Sequence, residues 1–284
     1  MLTNIISICI YFVKMKLSAY DFQIVCLNMS DLLFGVYLIV VGIADMYYKN
    51  IFAGYYLVWQ ESIFCFLGMF VFHISVYCSV IIVVTIATSR LMVVKYPFSS
   101  KFKKKSFIRK LLALEFSVVL LVLSFLLTII RMIDTKSINK LCLIFGLENN
   151  SSWLLWVTSL FTSMLLVLSV GIIIVVYIIL YFERRKSARK LQTSTSGNVA
   201  SFKSYHVAIV TIINAISWIP YSVLLVSMAT GVKIDNHIIT WTVVFVMPLN
   251  AISNPSFFNL FSTESRKFLN DYFQKYMHKA PLKQ

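Results

Sequence analysis

The sequence predicts an all-α fold, a seven-transmembrane-helix bundle whose first helix is truncated at its outer end, with a short amphipathic helix at the inner surface. Three observations predict it. Hydrophobic residues fill 59% of the 284 positions and charged residues only 13%, too little polar surface to cover a water-soluble globule. Apolar stretches of the roughly 20 residues needed to cross a bilayer core of about 30 Å recur along the chain. The Lys and Arg residues gather in alternate connections, twenty on one face against five on the other, which makes the richer face cytoplasmic and puts the N-terminus outside.

The first element is MLTNIISICIYFV, residues 1–13, closed by Lys14 and Lys16. It is shorter than a span and lacks the basic leading region and cleavage site of a secretory signal. It reads either as the inner half of a first helix whose outer half is absent, or as an interfacial helix ahead of six true spans. Those six are expected at 22–46, 62–94, 108–133, 153–182, 203–229 and 237–261. The whole divides into a membrane domain, 1–262, and a cytoplasmic segment, 263–284. In that segment Phe268, Tyr272, Phe273 and Tyr276 recur near helical spacing with lysines on other faces, as in a helix lying on a membrane surface. Ser262 or Thr263 is placed to cap it. The polar QTSTSGN at 192–198 reads as a linker.

The net charge of +15 thus collects on one face, where basic residues meet the anionic inner leaflet. Membrane lipids are therefore the expected partner of these clusters, and no nucleic acid is expected. The connection LCLIFGLENNSSW before the fifth span carries two N-x-S sequons, at Asn149 and Asn150, which need the lumenal side. Cys142 lies in the same connection and Cys65 at the outer start of the third span. These two of five cysteines fall where oxidation is permitted, so they form a disulfide or remain two free thiols. Cys9, Cys26 and Cys78 fall within apolar helices as packing residues. No cysteine or histidine spacing suggests zinc.

Ionisable groups inside a membrane are costly and default to functional roles. Asp31, in LNMSDLLFG near the middle of the second span, reads as the deepest carboxylate. Asn250 and Asn254 share a face of the seventh span four residues apart, and Pro255 frees a carbonyl that waters or side chains can satisfy in a bundle. Asp31, Ser79, Asn250 and Asn254 are therefore expected to form a small polar cavity at which the seventh helix bends. Either a monovalent cation such as sodium binds its oxygens, or a protonated Asp31 hydrogen-bonds to asparagine. His73, with Tyr77 one turn on, lines a ligand pocket or is bonded between helices, and His237 reads the same way.

Taken together, LNMSDLL in the second span, Cys65 opening the third, Arg90 at its inner end, SWIPY in the sixth and NPSFF in the seventh resemble the signatures of rhodopsin-like G-protein-coupled receptors. The resemblance covers nearly the whole chain. LLFGVYLIVVGIADMYYKN with LVWQESIFC, then VVKYPF and VMPLNAISNP, are similar to the relaxin-receptor and glycoprotein-hormone-receptor group, the relaxin branch above all. That group captures its hormone on a large leucine-rich-repeat ectodomain. The sequence is either a fragment without that domain or a receptor working without one.

The resemblance implies a plasma-membrane receptor for an extracellular peptide or protein hormone that couples to an intracellular heterotrimeric G protein and catalyses no reaction. It gives Arg90 the G-protein contact or a restraint on the sixth helix. Trp218 becomes the toggle beneath the ligand cavity, with Pro220 kinking its helix. Asn254, Pro255 and Phe258 belong to the activation switch, Asp31, Ser79, Asn250 and Asn254 to the sodium and water pocket, and Cys65 and Cys142 to the outer disulfide.

Four departures stand out. Ser89 precedes Arg90 where the family usually has an acid, Phe258 replaces a tyrosine, and Asn214 stands where the hormone-receptor group has an aspartate. Tyr205 and His206 replace a basic pair. Altered basal activity or weak coupling is the expectation. Around Arg90 the basic blocks 101–110 and 184–190 suit docking of a partner helix. A retinal protein needs a Schiff-base lysine, which 238–262 lacks. An intramembrane enzyme needs a nucleophile with a base, or paired carboxylates. A membrane transporter or ion-translocating protein is the second reading, since broken helices and midplane polar groups also serve transport.

Overall fold

Large apolar side chains cover the outer surface as well as the core, and several polar ones are buried, unlike in a water-soluble protein. In the computed structural model Leu121 is 72% and Phe125 70% exposed, whereas Asn28 and Asn254 are wholly buried. The structure describes residues 1–13, 18–49, 51–96, 104–133, 141–143, 153–190, 213, 217–228, 230, 232 and 234–256. All regular structure among the described residues is helical.

In chain order the helices are α1 (Leu2–Val13), α2 (Ala19–Tyr47), α3 (Phe52–Glu61), α4 (Ile63–Lys95), α5 (Lys105–Ile133) and α6 (Trp153–Lys190). After them come α7 (Ser217–Met228) and α8, which runs from Asn236–Trp241 through a π-helical turn, Thr242–Val246, into Met247–Pro255. Five stretches are long and apolar enough to cross a membrane: Ala19–Tyr47, Ile63–Lys95, Lys105–Ile129, Leu160–Glu183 and His237–Pro255. The chain is a multi-pass membrane protein. Leu2–Val13 and Ser217–Met228 are shorter apolar helices.

Short polar residues fix where helices begin. Ser18 accepts from Asp21 N at 3.1 Å while Asp21 Oδ2 accepts from Ser18 N at 2.9 Å, a reciprocal capping box. Ser62 caps α4 by accepting from Cys65 N, and Asp235 caps α8 through His237 N.

The long, central α4 packs against α2, α3, α5 and α6; α2 also meets α1, α5 and α8. By contrast α5 and α6 each lie on α4 and, among the described residues, hardly touch one another. Three apolar clusters fill the interior. One lies toward the Arg90 end of α4, around Ile24, Leu27, Ile82 and Ile86. The middle one gathers Phe34, Tyr37, Phe72, Trp218 and Tyr221. The third surrounds the Cys65–Cys142 disulfide with Trp59, Met69 and Leu127.

Two elements differ from the sequence expectation. The stretch read as a loop before Cys65 contains the ten-residue α3, whose Trp59 is buried against Tyr48, ring centroids 6.0 Å apart, beside the disulfide. In α8 the backbone widens at 242–246, ahead of Pro248. Proline has no N–H and its ring crowds the carbonyl four residues back, here Val244 inside the wide turn, so the π turn takes up the misfit.

Candidate functional site

The polar seam begins on α2, where each small residue finds a partner on a neighbouring helix. Ser30 Oγ donates to Leu27 O at 2.8 Å, and Ser75 Oγ of α4 donates to Ser30 O at 2.7 Å. These bonds hold α2 against α4 with Asp31 turned inward and buried. Asn254 Nδ2 of α8 donates to Asp31 Oδ2 at 2.7 Å. Ser79 Oγ of α4 stands 3.5 Å from Asp31 Oδ1, the outer limit of a hydrogen bond. One carboxylate therefore links three helices.

Asn250 is buried one turn before Asn254, but its Oδ1 has no hydrogen-bond partner among the described residues. The same holds for Asn28 Oδ1 and for both polar atoms of Asn4. Asn28 Nδ2 donates to Ser7 Oγ, joining α2 to α1. Unpartnered buried polar atoms are rare in native proteins and mark places for water or an ion. Asp31, Ser79 and Asn250 all offer oxygen, the donor type that a hard cation takes. The residues fit a sodium ion.

Trp218 is buried in the middle cluster, and Pro220 lies beside it, partly buried. Ser217 Oγ bonds Ile213 O at 2.9 Å and Ser222 Oγ bonds Trp218 O at 3.0 Å. Such back-bonds to the carbonyl four residues earlier bend helices, and here they flank the proline. Pro255 is buried at the end of α8.

Arg90 lies near the end of α4 with its guanidinium carbon 4.3 Å from the centroid of the Tyr20 ring, in the first turn of α2. Its neighbour Ser89 accepts from Gln23 Nε2 at 3.1 Å. With serine in place of an acid, Arg90 is held against α2 by an aromatic face. At the other end of α4, Cys65 is bonded to Cys142, and Tyr37 Oη donates to Leu141 O at 2.8 Å. Cys142 has a φ of 54°, uncommon for a residue other than glycine; the disulfide holds Cys142 itself and the Tyr37 bond holds the residue before it.

Asn149, Asn150, Phe258, Asn214, Tyr205, His206 and the segment 263–284, expected as an amphipathic helix, lie outside the described residues. Sequence reasoning missed Glu115, which lies inside the Lys105–Ile129 stretch and is half-buried, with Thr85 Oγ1 of α4 3.2 Å from both carboxylate oxygens. Its signal was a lone acid in LLALEFSVVL. The Tyr20–Arg90 and Gln23–Ser89 pairs were also missed, and no local pattern announces them.

The family model described as "7 transmembrane receptor (rhodopsin family)" matches residues 3–258. Relaxin receptor 2 of Homo sapiens is 26% identical over 284 residues, covering 94% of this chain and 35% of the relative. G-protein coupled receptor GRL101 of Lymnaea stagnalis is 25% identical over 275 residues, covering 91% of this chain and 24% of the relative. Relaxin receptor 1 of Mus musculus is 22% identical over 291 residues, covering 96% and 36%. The chain therefore spans about a quarter to just over a third of the length of these relatives.

Proposed function

We propose, for a chain that belongs to the rhodopsin family of seven-transmembrane receptors, that it passes an extracellular signal to an intracellular heterotrimeric G protein by shifting between two helix packings. The observation that carries this reading is the buried Asp31, which ties α2, α4 and α8 together through Asn254 and Ser79. A single polar joint shared by three helices is a bistable element: agonist and partner act by preferring one of its arrangements. Seven spans, with α1 as the inner part of the first and α7 within the sixth, complete the bundle. The membrane domain is 1–262, and the basic face, with Arg90 at its centre, is cytoplasmic.

In this reading the signal is a peptide or protein hormone, which the similarity to relaxin receptors supports. The plasma membrane is its location. The chain transmits conformation and catalyses nothing. Sodium, when bound, supplies positive charge that offsets Asp31, and Asp31, Ser79 and Asn250 would hold it. Arg90, held on Tyr20, is the contact to be released toward the G protein, with Trp218, Pro220, Asn254, Pro255 and Phe258 along the path.

The test is guanine-nucleotide exchange on purified G proteins added to the chain in lipid vesicles, run beside ion and solute flux in the same vesicles. Exchange above that of empty vesicles, lost in Arg90→Ala, is expected. Flux without exchange would move the protein to the transporter class.

A further inference from the structure

We propose that the cleft between α4, α5 and α6 binds a neutral lipid bearing a hydroxyl group, which enters sideways from the bilayer. The cleft is a cavity of about 220 Å³ walled by His73 and Tyr77 of α4, Val122 of α5, Phe161 and Thr162 of α6, and Tyr221 of α7. Because α5 and α6 pack on α4 and hardly meet each other, the gap between them is its mouth. Val122 and Phe161, roughly half exposed, stand there among apolar side chains that face lipid.

Three polar side chains of the wall, His73, Tyr77 and Thr162, have their hydrogens already committed. His73 Nδ1 lies 2.8 Å from Met69 O, and a carbonyl only accepts, so the neutral ring carries its hydrogen on Nδ1 and a lone pair on Nε2. Thr162 Oγ1 donates to Thr158 O at 2.8 Å. Its contact with Tyr77 Oη at 2.6 Å must then use the tyrosine hydrogen. These three side chains can still accept but have nothing left to give. A ligand that engages these three must bring the donor.

Charge narrows the class. Among the residues lining the cavity none is Lys, Arg, Asp or Glu, so a carboxylate, phosphate or ammonium head would enter hydrocarbon unpaired. An uncharged hydroxyl meets both conditions, since it donates one hydrogen bond and carries no charge. A sterol alcohol and a long-chain alcohol share that chemistry, with the apolar body lying along the α5–α6 gap. The inference goes beyond signalling, and its test does not pass through a G protein.

The experiment places the full chain in phosphatidylcholine vesicles with a photoreactive long-chain alcohol or the fatty acid of the same chain length, and maps the labelled peptides. The alcohol is expected to label α4, α5 and α6 at least tenfold more than the acid. Val122→Trp, at a lipid-facing rim position, should cut labelling at least fivefold with insertion unchanged. His73→Phe should do the same, and His73→Gln, which restores an acceptor, should recover it. Competition by an unlabelled sterol alcohol or an unlabelled fatty alcohol distinguishes the two sources, and either supports the site. Equal labelling by acid and alcohol, competition by neither, or labelling untouched by Val122→Trp and His73→Phe overturns it.

Discussion

Asn254 of α8 donates a 2.7 Å hydrogen bond to Asp31 of α2, from 223 residues along the chain. The bond accounts for the buried asparagine beside Pro255: an amide donor in a membrane interior needs an acceptor, and Asp31 is one of the strongest. If sodium shares this site, 100 mM NaCl should raise the unfolding temperature of the purified protein relative to choline chloride. At ten times the dissociation constant the stabilisation is about 1.4 kcal/mol. Asp31→Ala should abolish the difference between the salts, and a difference that survives the substitution would remove the ion from the account.

Tyr20 and Gln23 hold Arg90 and Ser89 against α2. Even an exposed cation–π contact contributes about 0.5–1 kcal/mol, and this one is partly buried, so Tyr20→Ala should multiply the released fraction of Arg90 at least roughly two- to fivefold. Basal nucleotide exchange should rise by a similar factor. Tyr20→Phe, which keeps the aromatic face, should stay closer to the parent. Lower basal exchange in Tyr20→Ala would show that the contact supports the active arrangement instead.

Thr85 donates to Glu115 inside the membrane. Replacing it with the isosteric Val leaves the acid without that partner, at a cost of about 1–3 kcal/mol, seen as a lower unfolding temperature in detergent. Glu115→Gln, which still accepts from Thr85, should lose less. Equal losses in both variants would mean that the charge itself matters more than the hydrogen bond.

The disulfide joins residues 77 apart in sequence. Chain-entropy arguments put the upper bound for such a loop at about 4.5 kcal/mol. Spans that stay in the bilayer when unfolded already restrict the loop, so Cys142→Ser should lose less than that. Mild reductant should shift the parent, but not Cys142→Ser, in a thermal melt.

Composition and run length made the long helices legible, and the polar residues stood out because the membrane makes them scarce. The Asp31–Asn254 relationship could be anticipated, since each is conspicuous in its own span. Asn250 was grouped with them by its spacing, and its buried oxygen has no hydrogen-bond partner among the described residues. The pairings of Tyr20 with Arg90 and Thr85 with Glu115 depend on how α2, α4 and α5 are rotated about their axes. In helices apolar nearly all round, side-chain periodicity says little about that rotation. The ten-residue α3 escaped because it is too short to register as a span, and the π turn because proline reports a fault without saying how the backbone absorbs it.

The parting of α5 from α6 also decides how any occupant of that gap is supplied. Its effective dose is set by its mole fraction among the lipids rather than by its concentration in water. Diluting the sample with buffer would leave occupancy nearly unchanged, while adding empty vesicles would drain it. Cell types with different membrane compositions would then present the same chain in different states before any signal arrives.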